Sequence, residues 1–473
     1  MTPPAVVYNT DDGCFDCNPC SDSIRFKSDQ SQKETTIAVA NIICIVPKDN
    51  CGETVYSLLY LRNDAEATGI KDERLLLDNI LLATVPKPLA ERYLYAQLPP
   101  HLCPSGSRRG SMDIIVSTTS GTGTGASFFN NILRPLLSHL GVNEYKTHET
   151  QSTQTITELC NAKFIPRASE RLPQTIILLS GDGGLTDMID AFHSTLDSLT
   201  VPPTIALIPI GTGNAMANSL GLLACPAAGL VALLRGTPAS IPTFAAEFSP
   251  GARYIIDEGR QRVPILRMSD DGHPRVYGGV VASWGMHAAL VADSDTLEYR
   301  KFGADRFKLA AKEILYPSDG TEPHKFRGAV TLFKKDNQTQ SKHEELLRRK
   351  EHMYVLASLV SNLEKDFMIS PLSRPLDGRL WMVHFGPMSP SSVMQVMTSA
   401  YQRGQHVGNE SISYEEIEGF RIELGELDER WRRICIDGKI IIVETGGWVK
   451  VHKDPKRLLN ILLLQNSPHQ CNN

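Results

Sequence analysis

The chain has 473 residues, of which 41% are hydrophobic and 21% charged, with a net charge of −5. That length allows two or three ordinary domains, and the composition is that of a globular protein rather than a disordered one. The acidic balance leaves no broad basic footprint for nucleic acid. The amino end, MTPPAVVYNTDDGC, lacks the basic-then-apolar pattern of a signal peptide, and no apolar run is long enough to cross a bilayer.

Residues 1–30 read as a flexible lead. Within it Cys14, Cys17 and Cys20 are spaced by two residues. Zinc binding or acylation is the alternative to free thiols in a mobile tail. The other cysteines, Cys44, Cys160, Cys225 and Cys435 among them, read as reduced thiols. Residues 31–100 carry β-branched runs and end in a helical pattern, PKPLAERYLYAQL. They suggest a small β-rich module, for which a pleckstrin-homology-like fold is one candidate. The Pro-, Ser- and Gly-rich stretch Leu98–Ser111 reads as a domain boundary.

Three strand–turn–helix units follow, over residues 111–241. DIIVSTTSGTGTG, TIILLSGDGG and TIALIPIGTGN each run from an apolar strand into a glycine turn and then a helical pattern. Repetition of that unit predicts a parallel sheet with helices on its faces, and ligands bind at the carboxyl edge of such sheets. Residues 242–455 change to short, turn-bounded β-branched runs, which predict an antiparallel β domain. The charged stretch 334–352 reads as a solvated insertion, and 456–473 as a tail. The fold class is therefore α/β plus all-β.

Glycine turns that open a helix offer backbone N–H groups to phosphate. The chain has no GxxxxGK[ST] and no protein-kinase signature set. The G-T-G-T-G at Gly121, Gly123 and Gly125 departs from the dinucleotide fingerprint. Asp182 stands between two glycines, where a phosphate is expected. It could cap the following helix, bind Mg²⁺, or take a proton as a general base. Three such turns on one edge favour a catalytic task.

At these residues the chain resembles the diacylglycerol-kinase-type lipid kinases, and within them the sphingosine (long-chain base) kinases. SGDGG at Ser180–Gly184, PIGTGNAMANSL at Pro209–Leu220, the block Ser283–Phe307 and IDGK at Ile436–Lys439 carry the resemblance. It covers roughly Asp113 to Val451. It implies an α/β nucleotide domain followed by a β-sandwich lipid domain, with ATP and Mg²⁺ in the cleft between them. On this resemblance Asp182 is the base. Ser117, Thr118, Thr119, Gly121, Thr147, Ser180, Gly181, Gly183, Gly211, Thr212, Gly213 and Asn214 line the nucleotide. Arg300 and Arg306 neutralise its phosphates, and Asp437 and Gly438 return to it. Asp293 recognises the lipid's ammonium and hydroxyl groups. The metal ligands are left open.

The implied reaction is phosphorylation of the primary hydroxyl of a sphingoid base at a membrane surface by a cytoplasmic, peripherally associated enzyme. A homodimer is left open. Diacylglycerol or ceramide is the alternative acceptor, an inactive nucleotide-binding scaffold the alternative class, and NAD phosphorylation a third reading. The sequence departs from the family pattern in four places. Ser117 and Thr118 replace an Asn-Pro, GDGG replaces the commoner GDGT or GDGL, Asp187 replaces a Glu, and two extra residues in the acidic segment leave Asp295 as the other candidate for the role of Asp293. Arg300 and Arg306 could instead pair with Glu298 and Asp305, and Trp284 reads as core packing.

Overall fold

The computed structural model describes residues 6–10, 13–17, 22–28, 34–50, 52–63, 75–95, 97–103, 110–118, 120–121, 123–195, 201–303, 305–336, 339 and 341–464. Aliphatic runs of the second segment build a six-stranded sheet. Its order is Thr237–Ser240, Asn460–Leu463, Thr204–Pro209, Gln174–Ser180, Ser111–Val116, Lys146–Glu149. Every pairing in it is parallel except that of Thr237–Ser240. Ile114, Ile115 and Ile176 to Leu179 are fully buried, as a sheet covered on both faces requires. The helix Asp182–Thr195 covers one face through Leu185, Met188 and Phe192. Phe129, Ile132 and Leu136, with Leu230 and Val231, cover the other.

The third segment forms two antiparallel sheets of seven and eight strands. They share a core with the helix-covered face of the parallel sheet. Trp284 is fully buried there, edge-on to Phe326, and its indole N–H donates to the Trp431 carbonyl at 3.0 Å. It is packing, as its sequence context suggested. His193, on the helix Asp182–Thr195, meets Asp454 at 3.0 Å, a buried polar tie between the two units.

Three sequence boundaries move. Inside the expected lead, Val6–Thr10, Gly13–Cys17 and Ser23–Ser28 pair with Glu34–Ala38 in a four-stranded meander, so Cys14 and Cys17 lie in a strand. Cys20 lies outside the described residues. The charged stretch 334–352 is solvated but not structureless, because Lys342–Leu346 forms an exposed edge strand on Phe326–Lys335. Most consequentially, the expected tail contains Asn460–Leu463, which inserts between Thr204–Pro209 and Thr237–Ser240. Polar flanks hid these strands, while pairing with neighbours distant in sequence created them.

The amino-terminal module has that meander, a second sheet of Ile42–Asn50, Glu53–Asn63 and Leu75–Leu82, and the helix Lys87–Tyr93. Strand alternation gives the second sheet two apolar faces. Ile45, Leu58 and Tyr60 pack inside the module, while Ile43, Leu59 and Leu61 pack on the α/β unit. Tyr95 and His101 add hydrogen bonds to the Leu234 and Leu233 carbonyls. Among the described residues, no helix is long and apolar enough to cross a membrane.

Ile461 is fully buried in the inserted strand. Ile461→Asp should lower unfolding stability by about 4 kcal/mol, because it buries an unpaired charge, whereas Leu427→Asp, at a side chain 84% exposed, should change little. Urea unfolding of the two variants checks this, and equal midpoints would refute the inserted strand.

Candidate active site

The strands Ser111–Val116, Gln174–Ser180 and Thr204–Pro209 end side by side, so their three glycine turns meet. The meeting is a backbone contact. A Cβ on Gly211 would lie 2.4 Å from Gly181 Cα and 2.7 Å from Asn214 Oδ1, and a Cβ on Gly121 would lie 2.3 Å from the Ile210 carbonyl oxygen. Only glycine lets the chains approach so closely. Asn214, in the left-handed region at φ 51°, folds its amide back on Gly211: the Gly211 N–H donates to Oδ1 at 3.1 Å, and Nδ2 donates to the Gly211 carbonyl at 2.6 Å. Its side chain shapes the third turn.

Asp182 opens the helix Asp182–Thr195 but does not cap it from within. Its carboxylate accepts the Ala215 and Met216 N–H groups, at 2.5 and 3.1 Å, from the start of the helix Ala215–Ser219. It thus ties the second turn to the third. Burial pushes its pKa up to about 6, with the two amides pulling the other way. Asp437 behaves similarly. It accepts the N–H groups of Gly279, Val280 and Val281 at 2.6, 3.0 and 2.7 Å. Burial raises its pKa to about 6, the amides lower it, and the charge of Asp182 raises it further. The two carboxylates face each other electrostatically from the two units.

These turns form one wall of a cleft of about 2030 Å³ between the units. Gly121, Gly181, Asp182, Gly183, Gly211, Thr212, Gly213, Asn214, Asp293, Arg306, Asp437 and Gly438 all border it. Farther along, Leu290, Phe307, Ala311, Leu363, Phe367 and Met397 give it an apolar half. Ser117 and Ser180 are buried behind the wall. The Ser117 hydroxyl meets that of Ser120 at 2.7 Å. Thr119 lies outside the described residues. Arg300 ends the helix Leu297–Arg300, and only its backbone is described.

Two expectations change. Thr147 sits within the outermost strand, exposed and away from the cleft. Thr150, three residues later, is the threonine at the turns: the Thr118 N–H donates to its hydroxyl at 3.1 Å, and the Thr118 hydroxyl to its carbonyl at 2.8 Å. Asp293 borders the cleft, but its oxygens are held by Arg430 at 2.9 Å and Arg433 at 2.5 Å. Asp293 thus already has two guanidinium partners, which its sequence context did not suggest. Arg306 lies 3.7 Å from Asp295, a different partner from the Asp305 anticipated.

Sequence reasoning missed Arg430 and Arg433, although RWRR at 430–433 lies just two residues before the IDGK motif. It also missed Lys439, the last residue of that motif. Lys439 meets Asp187 at 2.8 Å and Asp190 at 3.6 Å, and Arg267 meets Asp190 at 2.9 Å. Burial would lower the Lys439 pKa, but Asp187 and Asp190 outweigh it and the ammonium stays charged. Asp187 is thus a structural ion-pair partner across the cleft. Among the described residues, no group of three or more His, Cys, Asp or Glu side chains is arranged to hold a metal.

Residues 111–246 match the diacylglycerol kinase catalytic domain family. The chain therefore contains a diacylglycerol-kinase-type catalytic domain, which implies an ATP-using lipid kinase. Among solved structures, it is similar to one described as a proposed diacylglycerol kinase from Bacillus anthracis str. Sterne, at 16% identity and TM-score 0.49, over 75% of this chain and 95% of that one. A second, described as a diacylglycerol kinase from the same organism, is 13% identical at TM-score 0.43, over 75% of this chain and 97% of that one. No curated protein matches the chain.

Gly211→Ala should separate the second and third turns and weaken Mg-ATP binding by about tenfold or more, since overpacking of this kind costs roughly 1–3 kcal/mol. Gly408→Ala, where a Cβ meets nothing within 4 Å, should not. Calorimetric titration with Mg-ATP distinguishes them, and equal affinities would count against the turns as the nucleotide wall.

Proposed function

We propose that the chain transfers the γ-phosphate of ATP to the primary hydroxyl of a lipid held in the cleft, with Asp182 as general base. The observation that carries this is the position of Asp182. It is a carboxylate of raised pKa at the junction of two glycine turns, and it opens on a cleft whose far half is apolar. The amides of Ala215 and Met216 fix its orientation and leave lone pairs for a substrate proton. As the lipid oxygen bonds to phosphorus and the bond to ADP breaks, the hydroxyl proton passes to Asp182. The backbone N–H groups of the turns, with Arg306, fit the role of balancing phosphate charge, which is most of what this chemistry demands.

Mg²⁺ keeps several waters and needs only one or two carboxylates beside the phosphate oxygens. The mutually coupled Asp182 and Asp437 fit that requirement. A bound Mg²⁺ would neutralise phosphate charge.

A sphingoid long-chain base as acceptor rests on the Ser283–Phe307 block. The engagement of Asp293 by Arg430 and Arg433 favours a second reading, in which the acceptor is a neutral lipid alcohol such as ceramide or diacylglycerol. The exposed Leu266, Leu297 and Phe302 suit a protein working at a membrane surface.

Labelled phosphate should pass from Mg-ATP to at least one of sphingosine, phytosphingosine, ceramide and diacylglycerol, and Asp182→Asn should abolish it. Retained ATP binding without transfer to any lipid would instead identify an inactive scaffold. A base works only when ionised, so kcat/KM should fall as pH drops through about 6, an acid limb shared by Asp182 and Asp437. The stability effect has the opposite sign. A carboxyl whose folded pKa is raised stabilises the fold below its unfolded pKa and loses that contribution as pH rises through the folded value. Asp182→Asn should therefore melt at a higher temperature than the wild type at pH 8, with the gap closing between about pH 6 and 4. A variant less stable than the wild type at pH 8 would show that capping outweighs desolvation.

A further inference from the structure

Among the polar side chains that border the cleft, His287 is one that the transfer chemistry does not use. His287 lies in the first turn of the helix Met286–Ser294 and is 9% exposed. Its Nδ1 lies 2.7 Å from the Ser283 hydroxyl, and its ring meets Tyr354 edge-on. Its Nε2 makes no hydrogen bond among the described residues, and the ring borders the cleft beside Leu290 and Cys435. Burial pushes its pKa down to about 4, so the imidazole is neutral near pH 7.

Its position matters as much as its chemistry. Ser283 and Val281 lie two residues apart on the strand Val281–Gly285 and share a face. The Val281 N–H binds Asp437, which is coupled to Asp182. At a strand rise of about 3.3 Å per residue, the anchor of His287 stands about 7 Å along the strand from Val281. That is within reach of a group on the carbon atoms next to a phosphorylated hydroxyl.

We propose that His287 is a specificity-determining residue, whose Nε2 hydrogen-bonds a second hydroxyl of the lipid acceptor near the one that is phosphorylated. This rests on the proposed function, which places the transfer point at Asp182. A hydroxyl fits because it both donates and accepts. It therefore matches either imidazole tautomer, and the Ser283 hydroxyl can complement each. A hydrocarbon segment at the same place would leave a buried ring nitrogen unpaired, which a site of this kind rejects. The reading also locates the polar recognition that Asp293, already neutralised by Arg430 and Arg433, does not supply. Selection would act on a vicinal or near-vicinal diol pattern rather than on an amine. Diacylglycerol, with one hydroxyl, would be a poor acceptor.

The test compares sphinganine with its 3-deoxy analogue, which keeps the amine and the primary hydroxyl. Both equilibrium binding and phosphate transfer from Mg-ATP are measured in detergent micelles on the full chain. The wild type should favour sphinganine by about tenfold or more, the value of one well-placed hydrogen bond. His287→Leu should erase that preference by weakening sphinganine alone. His287→Gln, whose amide reaches the region of Nε2, should restore part of it. Equal losses on both lipids in His287→Leu, no wild-type preference, no binding of either lipid, or better use of diacylglycerol would each overturn the proposal. Hydroxyl-dependent binding without any phosphate transfer would retain it and overturn the kinase reading instead.

Discussion

The site depends on one close approach: the second and third glycine turns touch backbone to backbone at Gly181 and Gly211, and the Asp182 carboxylate bridges them. Two helix beginnings are thereby held at one point. Helix beginnings carry unpaired N–H groups, which makes that corner attractive to anions. Two of the third turn's N–H groups, however, are spent on Asp182. The carboxylate is thus oriented by the same amides that would otherwise only bind phosphate. A base and a phosphate cradle are built from one set of backbone groups, with few side chains required.

Asp437 repeats this device from the other unit, held by three consecutive amides of Gly279 to Val281. Each carboxylate is stabilised locally and disfavoured by the other. Lys439, two residues beyond Asp437, meets Asp187 on the helix that Asp182 begins. The hairpin turn carrying the second carboxylate is therefore pinned to the helix carrying the first. Closure between the units is electrostatic at this point, and the residues that secure it flank the residues that use it.

What was legible in the sequence followed local rules. The strand–turn–helix units and the parallel sheet could be read because apolar runs and glycines act over a few residues. What was not legible depended on partners far away in the chain. Asp293 looked like an acidic recognition residue until Arg430 and Arg433, 137 and 140 residues distant, were seen on it. Thr147 was placed after the strand because the strand's end could not be fixed without its neighbours. Asn460–Leu463 looked like a tail because four residues carry too little pattern to announce a strand. His287, an isolated histidine in an apolar helix, had no sequence context to distinguish it from packing.

The insertion of Asn460–Leu463 between two strands of the parallel sheet also bears on how the molecule comes into being. During synthesis the sheet's first strands emerge some 350 residues before the strand that completes them, counting Ser111 against Asn460. Until then Thr204–Pro209 has an unpaired edge, a surface prone to wrong partners. The nucleotide unit cannot finish folding ahead of the unit that follows it, as successive domains commonly do. The two units are therefore completed together, and the cleft between them closes only once Asn460–Leu463 has been made.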